Sequence, residues 1–264
     1  MTPPSAPNPL DLSTSPLALG CWGFADPDLW GNTGRSDAVA VIHAALDHGI
    51  NLLDTAPGYG NGLSEEILGE ALDGRRGQVL IATKVPDSAF SADGVRASLE
   101  ASLRRLKTDW IDLLQIHWVG DEARFEEVIA AFESARDAGL VRACGVCNFG
   151  PRHLERLKAC ATGWVSNQLP YNLLWRAIEF EIQQRCVDEG LGILAYSPLQ
   201  QGLLSGRYTT ADDVPPGRAR SRHFAGSRPL ARHGEPGCEA ETFRAIGEIR
   251  RIADEAGHPM PHLA

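Results

Sequence analysis

The chain is 264 residues long with a formal net charge of −9, which excludes the nucleic-acid backbone as a main partner, because phosphate recognition needs a basic surface. Hydrophobic residues make up 43% and charged residues 22%, the balance of a globular protein, and no apolar run is long enough to span a bilayer. A single α/β barrel commonly reaches this length.

Met1-Thr2-Pro3-Pro4-Ser5-Ala6-Pro7 lacks the basic-then-apolar pattern of a signal peptide. Residues 1–16 are therefore expected to form a disordered leader before a single domain over 17–264. The six cysteines are scattered, which fits reduced thiols in a cytoplasmic protein rather than a disulfide framework. Cys144-Gly145-Val146-Cys147 has redox-motif spacing but lies in a β-like run, where residues three apart face opposite ways. Two separate small apolar side chains are expected there.

Leu17–Trp22 reads as a first strand. Ser36 and Asp37 are N-cap candidates for a helix with Val39, Ile42 and Leu46 on one face, ending before Gly49. Asn51-Leu52-Leu53 is a short buried strand that stops at Asp54, and a turn shaped by Gly58, Gly60 and Gly62 then carries Tyr59. Ser64 opens a helix through Ile67, Leu68 and Leu72. Val79–Thr83 runs into Lys84, followed by a helical stripe of Val95, Leu99, Leu103 and Leu106. Ile111–Ile116 runs into His117, followed by Phe125, Val128, Ile129 and Phe132 at helical spacing. A strand over 141–148, a short helix from Pro151, a strand over Trp164–Gln168, a helix marked by Ile178, Ile182 and Cys186, and a strand over Leu191–Ser197 come next. Residues 198–241 are rich in Gly, Pro and Arg with little periodicity, and Phe243, Ile246, Ile249 and Ile252 mark a last helix. Pro259-Met260-Pro261-His262-Leu263-Ala264 looks like the opening of a further segment.

Strand and helix patterns alternate seven times, which implies βαβ units and a parallel sheet. A doubly wound sheet and a closed barrel both satisfy that rule. The first strand is not followed by a Gly-x-Gly-x-x-Gly turn, and polar groups stand at nearly every strand exit, so a (β/α)8 TIM barrel is expected. Seven units are read, and one further βα unit is expected to be needed to close it, either beyond Ala264 or absent from an incomplete barrel.

Asp54, Tyr59, Lys84 and His117 lie at the exits of three successive strands, and parallel strands bring them to one rim. An ammonium near a phenol favours the phenolate, so Lys84 is expected to lower the Tyr59 pKa while Asp54 holds Lys84 charged. A neutral His117 could donate to a substrate oxygen. The set suits protonation of an oxyanion formed when a hydride attacks a carbonyl, and it implies a nicotinamide cofactor because none of the four can supply the hydride. Each residue also has a structural alternative: a buried Asp–Lys pair, a core histidine, a packed tyrosine. The remaining histidines have no metal-ligand spacing, so no metal is expected. A Schiff-base role for Lys84 is disfavoured by the carboxylate that keeps the amine protonated.

Asp54-Thr55-Ala56…Tyr59-Gly60, Ala82-Thr83-Lys84, Gln115-Ile116-His117-Trp118, Gly145-Val146-Cys147-Asn148-Phe149 and Tyr196-Ser197-Pro198-Leu199 closely resemble the aldo-keto reductase family, in the family's order. Leu19-Gly20-Cys21-Trp22 and Ser64-Glu65-Glu66 look most like its bacterial general-oxidoreductase branch. The resemblance implies a (β/α)8 barrel that reduces aldehydes or ketones to alcohols with NADPH, NADH being left open. By that resemblance Tyr59 is the proton donor, assisted by Asp54 and Lys84, and His117 orients the carbonyl. Cofactor contacts would come from Gly20, Cys21, Trp22, Asp54, Cys147, Asn148, Gln168, Tyr196, Ser197, Pro198, Leu199, Gly202 and Leu203. Trp22 and Trp118, with Tyr59 and His117, would meet a small carbonyl substrate. Cys147 stands where the family usually has serine, a stronger hydrogen-bond donor. A cofactor-binding regulatory or sensor subunit with little turnover is the alternative. Neither a nucleic acid nor a membrane is implied.

Overall fold

The structure is a computed structural model describing residues 14–264; most of the expected leader, residues 1–13, lies outside the described residues. The chain forms two compact units. One runs up to Leu169 and includes Glu181–Leu194; the other comprises Pro170–Phe180 and Ala195–Ala264.

A single sheet holds β1 (Ala18–Gly20), β2 (Leu52–Asp54), β3 (Leu80–Val85), β4 (Ile111–Ile116), β5 (Val141–Cys147), β6 (Trp164–Pro170) and β7 (Gly192–Tyr196), in that spatial order. Each pairing from β1 to β6 is parallel. The first unit's helices are α1 (Pro27–Trp30), α2 (Arg35–Asp47), α3 (Leu63–Ala71), α4 (Ala92–Leu106), α5 (Phe125–Asp137), α6 (Pro151–Cys160) and α7 (Ile182–Asp188). Parallel neighbours in chain order, with helical crossovers, are the arrangement of the expected α/β barrel, and seven strands occur among the described residues.

β3 and β4 are buried along their whole length, which is why they read as near-continuous apolar runs. Leu52, Leu80, Ala82, Leu113 and Ala143 form one interior cluster, with Val165 and Leu194 against it. Two residues further along, the same inward face presents Asp54, Lys84 and Gln115, so the apolar layer is the floor beneath a polar one.

Near the start of β4 the fully buried Asp112 carboxylate is surrounded by donors. It accepts from Arg76 Nη2 at 2.6 Å, Arg142 Nη1 at 3.2 Å, Trp110 Nε1 at 3.2 Å and the Ile81 amide at 2.9 Å. Arg76 also stacks over the Trp110 ring, 4.4 Å from its centre.

Several elements differ from expectation. β1 ends at Gly20 because Trp22–Phe24 turns into a 3-10 helix. α2 starts at Arg35 with Gly34 as its cap, so Ser36 and Asp37 lie inside the first turn and cap nothing. The helix expected through Ile178, Ile182 and Cys186 is broken: Ala177–Phe180 is 3-10, and α7 starts at Ile182. Cys144 and Cys147 both lie buried on β5 as free thiols, bonded to different partners, Phe132 O and Gln168 Oε1.

The second unit packs α8 (Glu239–Glu255) over a core of turns. Leu203, Leu204, Tyr208, Val214, Ala219, Phe224, Ile246, Ala253 and Met260 are buried together there. Met260–His262 forms a 3-10 turn whose Met260 joins that core.

Removing the Asp112 carboxylate takes the anionic partner from two guanidinium groups, of which Arg76 is mostly buried. Asp112→Ala is expected to destabilise the protein by about 3–5 kcal/mol, read from urea unfolding midpoints; a loss below 1 kcal/mol would show that the cluster does little for stability.

Candidate active site

Asp54 closes β2 and Lys84 is the fifth residue of β3. Lys84 is almost fully buried, and its Nζ donates to Asp54 Oδ1 at 3.0 Å, Asp54 Oδ2 at 2.8 Å, the Thr55 carbonyl at 2.8 Å and the Tyr59 hydroxyl at 3.2 Å. Tyr59 reaches it from a turn that only glycine permits. Gly60 has φ 58°, and a Cβ there would collide with the Ala25 carbonyl. His117 follows β4, where its backbone N–H donates to Val85 O at 3.0 Å. Its ring stands edge-on to Tyr59, with centroids 6.1 Å apart and an interplanar angle of 83°. The four residues singled out at the strand exits therefore share one small volume.

Aromatic rings extend from it. Trp22 stacks on Tyr59 at 5.7 Å and is met edge-on by Trp30 at 5.2 Å, while its Nε1 donates to Asp26 Oδ2 at 3.1 Å. Trp118 stacks on His117 at 6.5 Å and is half exposed. Gly20 pairs with Asp54 across the strands, and the Cys21 amide donates to Asp54 O at 2.8 Å. Gln168 Nε2 donates to Asp54 Oδ1 at 2.8 Å, and Cys147 Sγ to Gln168 Oε1 at 3.6 Å. Asn148 holds φ 62° and bonds the His117 carbonyl through Nδ2 at 3.3 Å.

Tyr196, Ser197, Pro198, Leu199, Gly202 and Leu203 belong to the second unit. There Ser197 has φ 56° and its carbonyl accepts from Asn172 Nδ2 at 3.0 Å. The Gly202 amide is taken by Leu199 O at 3.0 Å, and the Leu203 side chain lies in that unit's core. Thr55, whose carbonyl receives the lysine, Asp26 and Trp30 were not singled out from sequence. Only the position of Thr55 directly after Asp54 hinted at a role.

Electrostatics define the protonation states. Burial opposes the Lys84 ammonium, but Asp54 and Tyr59 outweigh it and hold the amine above its ordinary range. Burial raises the Tyr59 phenol, Lys84 pulls it down, and Asp54 adds to the rise; the net shift is upward. The expectation that Lys84 leaves this phenol easier to ionise is thus corrected: Lys84 acts in the expected sense, and desolvation is larger. Burial, reinforced by Lys84 and opposed by Asp54 and Asp87, lowers His117 to about 4. At neutral pH the site therefore holds an ammonium, an intact phenol and a neutral imidazole. Burial also pushes the Cys147 thiol up to about 12.

A parallel α/β barrel with a cluster of titratable side chains at its strand exits is a class defined by fold and site together. The sequence profile of the Aldo/keto reductase family matches residues 16–264, and the chain belongs to that family. It is 38% identical over 208 residues to the aldo-keto reductase YhdN of Bacillus subtilis, covering 75% of this chain and 62% of that protein, so it spans about three fifths of that relative's length. A solved glycerol dehydrogenase from Gluconobacter oxydans superposes with a TM-score of 0.79 at 32% identity, covering 95% of this chain and 78% of its own. An aldo-keto reductase from Klebsiella pneumoniae solved with NADPH gives a TM-score of 0.65 at 27% identity, covering 92% and 91%. Among the described residues, no group of three or more His, Cys, Asp or Glu is placed to hold a metal ion, and no helix is long and apolar enough to cross a membrane.

Because His117 is held near 4 against an ordinary 6.5, the unfolded chain binds more protons between those values. Native stability therefore falls as pH drops through that window. His117→Gln is expected to flatten this fall in urea midpoints measured from pH 6.5 to 4; parallel curves for the two proteins would refute a buried neutral imidazole.

Proposed function

We propose that this chain is an NADPH-dependent carbonyl reductase in which Tyr59 protonates the substrate oxygen. The observation that carries this reading is the Lys84 ammonium 3.2 Å from the Tyr59 hydroxyl, with Asp54 bonded behind it. The phenol stays protonated at neutral pH and becomes anionic only when it gives up its proton. A fixed ammonium stabilises that new charge more than the starting state, and such differential stabilisation speeds the chemical step. Neutral His117 can donate a ring N–H to the carbonyl oxygen and hold it beside the phenol. Trp22 and Trp118 would line the mouth around a small carbonyl compound.

The residues fit a nicotinamide. Asn148 and Gln168 carry amides that would complement its carboxamide, Asp54 and Cys147 are bonded to Gln168, and Gly20, Cys21 and Trp22 are proposed as contacts beside them. Tyr196, Ser197, Pro198, Leu199, Gly202 and Leu203 are proposed as further contacts on the family resemblance alone. When bound, the cofactor supplies the hydride that no side chain of the protein can. The NADPH held by the Klebsiella relative supports this choice of cofactor.

NADPH oxidation with a reactive aromatic aldehyde tests the reading. Tyr59→Phe is expected to lower kcat by about 10²–10⁴-fold while NADPH binding, followed by fluorescence, stays within about twofold. Undiminished turnover would remove Tyr59 as the proton donor. Tight NADPH binding with negligible reduction by the wild type would favour the sensor reading.

A further inference from the structure

The first turn of α3 carries two consecutive, fully buried polar side chains, Ser64 and Glu65. Ser64 Oγ shares a hydrogen bond of 2.8 Å with Thr55 Oγ1 and donates to the Cys21 carbonyl at 3.0 Å. Glu65 Oε1 accepts from Thr83 Oγ1 at 2.7 Å. Thr55 directly follows Asp54, and Thr83 directly precedes Lys84. Alternation along a strand sends each threonine to the face opposite its ionised neighbour. One helical turn thus grips, from outside the sheet, the two residues next to the inward ion pair. The loop carrying Tyr59, residues 56–62, closes between those grips.

Glu65 Oε2 accepts from Arg105 Nε at 2.7 Å and Nη2 at 2.6 Å, across from α4. The glutamate side chain is fully buried, and its arginine partner is one quarter exposed. The same arginine underlies the Tyr59 loop: Gly62 has φ 94°, and a Cβ there would sit 2.7 Å from Arg105 Cδ and 2.8 Å from Nε. Arg105 therefore touches the end of the loop while being fixed by the carboxylate that also holds Thr83.

We propose that Glu65 and Arg105 are positioning residues that set the Tyr59 hydroxyl against Lys84, through Thr83 on one side and Gly62 on the other. The proposal rests on the reading of Tyr59 as proton donor. At 3.2 Å the Tyr59–Lys84 contact is at the long end of a hydrogen bond, so slack in the loop loosens it first. Glu65→Gln keeps the shape but turns an acceptor into a donor facing Thr83 or Arg105, and Arg105→Met leaves the Gly62 seat without its charged anchor.

Two readouts test the pair, one independent of turnover. The chain has four tyrosines. With ¹³Cζ-tyrosine labelling and Tyr59→Phe for assignment, the Tyr59 resonance is expected to titrate at higher pH in both variants, since the lowering influence of Lys84 weakens. In parallel, kcat is expected to fall by about 10- to 100-fold with NADPH affinity within about twofold. The double variant should lose no more than either single one, because both remove the same coupling. Thr83→Val, which removes one hydroxyl, carries the same titration test should Glu65→Gln or Arg105→Met not fold. An unmoved Tyr59 titration, or an unchanged kcat with only a lower Tm, would overturn the positioning role. A wild type that reduces no carbonyl while the titration shifts would sink the proposed function and leave the positioning pair standing.

Discussion

The rest of the site depends on one buried ion pair. Lys84 has no exposed side-chain surface, and an ammonium so placed is strongly disfavoured unless its charge and donors are met. Both Asp54 oxygens and the Thr55 carbonyl meet them at 3.0, 2.8 and 2.8 Å. The amine consequently stays protonated and cannot act as a nucleophile. Gln168 braces the same carboxylate from β6, so strands β2, β3 and β6 all converge on one charge. That fixed positive charge reaches the neighbouring groups: the Tyr59 hydroxyl is bonded to it, and it reinforces the burial that keeps the imidazole neutral.

The tyrosine shows why geometry and pKa must be read together. A lysine beside a phenol suggests a phenolate, yet burial raises the Tyr59 phenol further than the lysine lowers it. A phenolate in the ground state would have no proton to give. On the proposed reading of Tyr59 as proton donor, the arrangement keeps the proton on the tyrosine and reserves the lysine's attraction for the moment the proton leaves. Desolvation, which opposes ionisation in the resting site, also strengthens the ammonium's effect once charge develops.

Much of this was legible in the sequence because Asp54, Lys84 and His117 each stand at or near the C-terminal end of an apolar stretch that reads as a strand, although β3 continues one residue past Lys84. Tyr59 was legible through the glycines around it, which mark a turn. What was not legible lies in contacts between distant positions. Glu65 and Arg105 are forty residues apart, and neither has a local signature of the other. Periodicity also failed where it crossed a boundary between units. Ile178 and Ile182 have helical spacing, but Phe180 between them is 94% exposed and the helix breaks at Glu181, where the chain passes from one unit to the other. Residues 198–241 lack periodicity because their core is assembled from turns, with Tyr208, Val214 and Phe224 buried singly rather than along one face.

The first unit contains a second buried carboxylate, and the comparison separates a site from a strut. Asp112, near the start of β4, is fully buried and accepts from two arginines, a tryptophan and a backbone amide. Its charge is overmatched by two guanidinium groups, which suits holding strands together. Asp54, at the other end of the strands, has one cation shared with a half-buried phenol, and it keeps some exposure of its own. The difference is whether any proton in the network can be passed outward. Around Asp112 the donors are guanidinium and indole groups that do not titrate in the physiological range. Around Asp54 the outermost group is a hydroxyl whose ionisation the adjacent ammonium can support, so a chemically similar buried carboxylate anchors the fold at one end of the strands and can serve proton transfer at the other.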